Sequence, residues 1–151
     1  MIRIVAVGKI KDRQLKALID DYQTRIGHFH NIEISEVAQV TTKDPAYNLN
    51  REGEELLKLL PQTDFVVLLA LEGVSLDSLT LASRLEVWNM KHPNLTFVIG
   101  GSDGVSAEVK QRADFLWQLA ELTFPHQLAR LLLLEQLYRS YKIINKQTYH
   151  K

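Results

Sequence analysis

Two uninterrupted apolar runs limit what this chain can become: "DFVVLLALEG" from Asp64 and "LTFVIGGSDG" from Leu95. A strand with one face in water alternates apolar and polar residues, whereas a strand covered on both faces reads as a continuous Val/Ile/Leu run. Neither run approaches the roughly 18 apolar residues that a membrane span needs. They predict two central strands of a sheet with layers on both sides, the second running into a glycine-rich turn. "IRIVAV" (Ile2–Val7), closed by Gly8, predicts a third buried strand, and "NIEISEV", with Ile32 and Ile34 set between acids, a half-exposed one.

Helical spacing fills the intervals. Leu15, Leu18, Ile19, Tyr22 and Ile26 recur on one face, with Gly27 as a stop. Asp44 is placed to cap a helix that has Pro45 at its first position and Pro61 as terminator. A helix from about Leu76 puts Leu79, Ala82, Leu85 and Trp88 on one side, and Ser106 with Glu108 begins a short one. "FLWQLAEL" is the last apolar segment before a final helix at Pro125. The loop "QVTTK" is polar and reads as mobile. Strands alternating with helices predict an α/β fold, a mainly parallel sheet flanked by helices. With no repeat and no linker in 151 residues, one domain over 1–151 is the economical reading.

The final helix poses a question of its own. In "TFPHQLARLLLLEQLYRSYKI", Leu131 to Leu134 are consecutive, and neighbours on a helix point about 100° apart. A helix lying on one core needs a single apolar stripe. This one reads as a helix apolar on more than one side.

Charge narrows the function. Eighteen basic and eighteen acidic side chains cancel, which counts against gripping nucleic acid by bulk charge. The distribution is uneven: Arg3, Lys9, Lys11, Arg13 and Lys16 face one acid, Asp12, at the start, while Arg139, Lys142, Lys146 and Lys151 meet none at the end. Brought together, the two ends would make one phosphate-facing patch. The absence of cysteine excludes disulfides and thiolate metal sites, and the scattered histidines argue against any metal. No secretory leader opens the chain, so a cytoplasmic protein is expected.

Open α/β sheets bind ligands beyond the carboxyl ends of their strands. Three stretches occupy such ends: "LALEG", "IGGSDG" and "LAELTFPH". Gly100 and Gly101 follow a buried strand directly, where a tight turn alone would already call for glycine. Neither GxGxxG nor GxxxxGK[ST] is present, so dinucleotide and P-loop readings have no support. His126 and Arg130, four apart at a helix start, share a face suited to an anion. Glu135 and Arg139 suffice as a plain surface pair. Tyr149 and His150 add stacking and a titratable group to a basic tail that ought otherwise to fray.

"FVIGGSDG", "LTFPHQLARLLLLEQLYRSYKIIN" and the terminal "YHK" closely resemble the bacterial ribosomal large-subunit pseudouridine methyltransferase H family, a minimal branch of the SPOUT superfamily. The likeness runs through nearly the whole chain. It implies an α/β fold with a C-terminal trefoil knot, a homodimer, S-adenosylmethionine as cofactor, and methylation of N3 of a pseudouridine in large-subunit ribosomal RNA. Carried over by motif, the cofactor loops are Leu69 before "LEG", Gly100 and Gly101, and Leu119, Ala120, Glu121, Leu122, Thr123 and Phe124. The family usually shows "LSxxTFPH" where this chain has "LAELTFPH", so Ala120 and Glu121 are departures. His126 and His150 are the base candidates. Arg130 and Arg139 are candidate clamps for phosphate or anionic oxygens, with Tyr149 for stacking. With no net charge, the chain is expected to prefer assembled ribosomal particles to short oligonucleotides. Two rivals remain from the residues alone: a non-enzymatic flavodoxin-like module, and a SPOUT methyltransferase acting on another RNA, which 151 residues leave little room for.

Overall fold

The computed structural model describes all residues from Met1 to Lys151. In chain order the elements are β1 (Ile2–Val7), α1 (Arg13–Gly27), β2 (Ile32–Val37), α2 (Pro45–Lys58), β3 (Phe65–Ser75), α3 (Ser78–Lys91), β4 (Leu95–Ile99), α4 (Ala107–Arg112), β5 (Phe115–Gln118) and α5 (His126–Ile144). The five strands form one sheet in the order β2-β1-β4-β3-β5, and every pairing is parallel. The apolar runs at β3 and β4 occupy interior positions.

Period-two alternation divides each interior strand between two cores. Ile2, Ile4 and Ala6 of β1 face the layer made by α1, α3 and α5, as do Leu95, Phe97 and Ile99 of β4. Val5 and Val7, with Val66, Leu68 and Val98, face the smaller core under α2 and α4. The helices begin where their caps lie: Asp12 accepts from Leu15 N, Asp44 from Ala46 N and Tyr47 N, Asp77 from Thr80 N, and Ser106 from Val109 N.

The structure departs from the sequence expectations in three places. Helix α3 starts at Ser78, later than Leu76, because β3 continues past an irregularity between Leu69 and Val74 to pair again with β5. Leu79 therefore lies on the outer side, 56% exposed, and the inner face is Leu81, Ala82, Leu85 and Trp88. The loop after β2 is held by buried side chains: Asn48 bonds Thr42 at N, Oγ1 and O, and Glu52 accepts from Val40 N. The tail is ordered as well. Lys146, at φ 54°, reverses the chain after α5, and Tyr149 returns to pack edge-on against Tyr138 at 4.8 Å.

Helix α5 owes much of its apolar character to its own subunit. It lies between two helices, touching α1 through the Tyr22 and Tyr138 rings, 5.9 Å apart, and α3 through Ser78–Gln136 and Asn89–Tyr141 hydrogen bonds. Leu133, Leu134 and Leu137 are fully buried, Leu131 and Leu132 are half-buried, and Leu128 is exposed.

Candidate functional site

The irregular stretch within β3 and the carboxyl ends of β4 and β5 open into one cleft of about 730 Å³, so "LALEG" borders it from inside a strand and not from a strand end. Its walls are Leu69–Glu72, Ile99–Val105 and the chain from Leu119 to Gln127 apart from Glu121, with Lys110 and Ala129 completing the lining. That volume suits a drug- or cofactor-sized molecule. Each predicted cofactor-loop residue lines it except Glu121, which is exposed at the surface.

The glycine turn is built as a turn first. Gly104 has φ +88° and bonds back to Gly101 O, and a Cβ at Gly100 would stand 2.6 Å from Val105 Cγ1. Opposite it, the segment from Leu119 to Phe124 belongs to no helix or strand, and none of its backbone groups pairs with another backbone group. Pro125 precedes the first helical residue of α5 and fixes the direction from which the chain enters it. Across the mouth, Lys110 meets Glu72 at 2.9 Å, and its ammonium holds the Glu72 carboxyl below the ordinary carboxylate value.

His126 and Arg130 do share a face, and both converge on Gly8, a residue the motifs did not single out. Gly8 has φ +92°, and a Cβ there would stand 3.0 Å from His126 Nε2. Arg130 is 2% exposed, donating to Gly8 O at 3.0 Å and to Glu36 at 2.5 Å. Its guanidinium is thus spent inside the subunit, holding the end of β1, β2 and the start of α5 together. Glu36 belongs to no motif, whereas Gly8 closes the first strand, at an end where the crevice rule applies.

The other predicted group lies further along α5. Arg139 is held by Glu135, whose hydrogen bonds raise the guanidinium pKa above its ordinary value. Its CZ atom stands 4.9 Å from the Tyr149 ring centroid, and Nη1 lies 3.1 Å from His150 Nδ1. The Tyr149 hydroxyl reaches Tyr22 and Glu135. Burial, followed by these hydrogen bonds, pushes its pKa well above the usual phenol value, so Tyr149 keeps its proton. The structure therefore gathers Arg139, Tyr149 and His150 into one cluster, apart from His126 and Arg130. Arg139 lies thirteen helical steps beyond His126, about 20 Å. The basic ends are likewise divided, since Lys9 and Lys11 lie at the start of α5 and Lys142 and Lys146 at its far end.

No three His, Cys, Asp or Glu side chains lie close enough together to hold a metal ion, and no helix is long and apolar enough to cross a membrane.

A family profile described as "Predicted SPOUT methyltransferase" matches residues 1–150. The chain is 44% identical, over 157 aligned positions, to ribosomal RNA large subunit methyltransferase H of Bifidobacterium animalis subsp. lactis, with 99% of each chain covered. It is 43% identical to the protein of that name from Acetivibrio thermocellus, again over 99% of both. The putative ribosomal RNA large subunit methyltransferase H of Methanococcus maripaludis is 38% identical with the same coverage.

Proposed function

The chain belongs to the SPOUT methyltransferase family, and from that premise we propose that it methylates N3 of a pseudouridine in large-subunit ribosomal RNA, taking the methyl group from S-adenosylmethionine. The observation that carries this reading is the cleft of about 730 Å³ between the irregular stretch of β3 and the ends of β4 and β5. The backbone from Leu119 to Phe124, with its groups unpaired, fits a purine ring read by main-chain hydrogen bonds. Leu69, Leu119 and Leu122 supply apolar walls, and Gly100 and Gly101 a low floor. Bound there, S-adenosylmethionine supplies a methyl group activated by its sulfonium. Ala120, where the family usually carries serine, then contributes through its backbone, and Glu121 stays outside the cleft lining.

In-line displacement makes positioning of the two reactants much of the work. The pseudouridine N3 must lose a proton, and His126, which lines the cleft, is the base we assign to take it. Arg139, Tyr149 and His150 face the RNA from the partner subunit of a homodimer, since one chain keeps them about 20 Å from His126. Arg139 there stabilises anionic oxygens and Tyr149 stacks or orients the base. Arg130 acts from behind, through Glu36 and Gly8, as a positioning residue. The C-terminal part threads as a trefoil knot, and the enzyme works in the cytoplasm.

Mass spectrometry of ribosomal RNA after incubation of ribosomes with the protein and labelled cofactor tests the reading. A labelled methyl on a large-subunit pseudouridine is expected, and an unlabelled large-subunit RNA sinks the proposal. Because the chain has no net charge, assembled particles are the better substrate, and equal rates on a free stem-loop would refute that part.

A further inference from the structure

The loop between β2 and α2 is mostly polar and, apart from half-buried Val40, exposed, yet it is braced by two of the chain's seven buried polar side chains. Asn48 fixes Thr42 by three hydrogen bonds. Glu52 fixes Val40 N at 2.9 Å, and its Oε1 stands 3.3 Å from the Cβ position at Gly101, against the cleft's glycine turn. Gln39 reaches Ser102, which lines the cleft, and Gly8 N donates to Val37 O at the loop's start. Burying polar groups costs free energy unless every bond is made, so this is an expensive way to hold a surface loop in place. It locks the β2–α2 loop beside the β1–α1 loop, on the His126 side of the cleft.

These two loops and the first residue of α1 carry Lys9, Lys11, Arg13 and Lys43, all exposed. None has a carboxylate within salt-bridge distance. The acids beside them, Asp12 and Asp44, are engaged in capping α1 and α2. At the C-terminal end Arg139 is held by Glu135 and Lys142 bonds Gln147, which leaves Lys146 and Lys151 as its unpaired cations. Free cations on a fixed scaffold are what a polyanion needs, since the ordering cost is met before binding. Counterion release depends on how many phosphates are locally neutralised, so a chain without net charge can still bind RNA this way.

We propose that the β1–α1 and β2–α2 loops form a rigid cationic lip that takes the phosphodiester backbone of the substrate RNA beside the cleft. Contacts to phosphate set position and carry no base identity. The lip therefore sets where the RNA lies and leaves choice of the base to the cleft. This rests on the RNA-methyltransferase reading.

The test is equilibrium binding of the full-length protein to large ribosomal subunits between about 50 and 200 mM salt. Lys9→Ala/Lys11→Ala/Lys43→Ala is compared with wild type and with Lys91→Ala, a cation on α3 away from the lip. The triple variant is expected to bind about tenfold or more weakly, with the slope of log affinity against log salt reduced by about two. Calorimetric affinity for S-adenosylmethionine and the Lys91→Ala curve stay at wild-type values. Asn48→Ala keeps the charges but frees the loop, and weakens binding with a smaller change in slope. Wild-type affinity and slope in the triple variant overturn the lip. If wild type binds the particle and loses binding in the triple variant but transfers no methyl group, the lip stands and the enzymatic reading falls. A wild-type protein that does not bind the particle overturns both.

Discussion

Arg130 and Glu36 lie 94 residues apart and are joined only by the fold. Replacing Arg130 with Met leaves Gly8 O and the half-exposed Glu36 carboxylate without their donor. The expected loss is about 2 kcal/mol, below the full cost of breaking a buried pair because Glu36 keeps some water. The urea midpoint measures it, and Arg130→Lys should recover only part, since one ammonium cannot reproduce the fork that spans Glu36 and Gly8. An unchanged midpoint in Arg130→Met would mean that the pair contributes nothing. His30 gives a pH signature. Burial holds its imidazole below the ordinary value, so the folded state prefers it neutral. The unfolded chain then binds more protons in the window below about pH 6.5, and stability present above that pH is lost as acid is added. The thermal midpoint should fall between about pH 7.5 and about pH 5.5, and fall less in His30→Asn. Equal falls in the two proteins would remove His30 from the account. At this scale the sequence was readable for residues inside contiguous motifs, such as Gly100 or Thr123, and unreadable for Gly8, Glu36, Asn48 and Glu52. Nothing local distinguishes a carboxylate that braces a loop from one that sits in water.

Helix α5 shows what periodicity can and cannot say about an element. Four consecutive leucines demanded more than one buried side. Neighbouring helices α1 and α3 provide much of that burial within the subunit, so the run by itself is weak support for a partner. The tail behind it depends on one backbone conformation, Lys146 at φ 54°. A β-branched residue fits that region poorly. Lys146→Val should therefore release Tyr149 from Tyr138 and Arg139, read as faster hydrogen exchange in α5 near Glu135 and greater exposure of the Tyr149 ring. Lys146→Gly, which tolerates the conformation, should keep the tail docked. If the valine variant exchanges like wild type, the reversal is not what holds the tail. A reading of the terminus as loose failed here because terminal fraying is an average tendency, overridden by one aromatic ring with a cation above it and two hydrogen-bond partners.

For the whole molecule, the two residue clusters along α5 make a concrete prediction about assembly. If each site takes His126 from one subunit and the tail from the other, mixing His126→Ala with His150→Ala protein through unfolding and refolding should restore activity that neither variant has alone. Sedimentation should find a particle of about twice the 17.3 kDa chain. A monomer, or mixtures as inactive as their parents, would refute the shared site. The α/β class, the parallel sheet and the three loops of the cleft were determined by the sequence itself, because burial on two faces, helical period and glycine turns are local properties written in contiguous residues. Only the tertiary structure decided that β3 runs on beyond its bulge, that Arg130 faces inward and that buried side chains brace the β2–α2 loop. It also decided that the basic ends lie apart. Each of these depends on which distant residue arrives to satisfy a polar group or cover an apolar one, and that pairing exists only once the chain has folded.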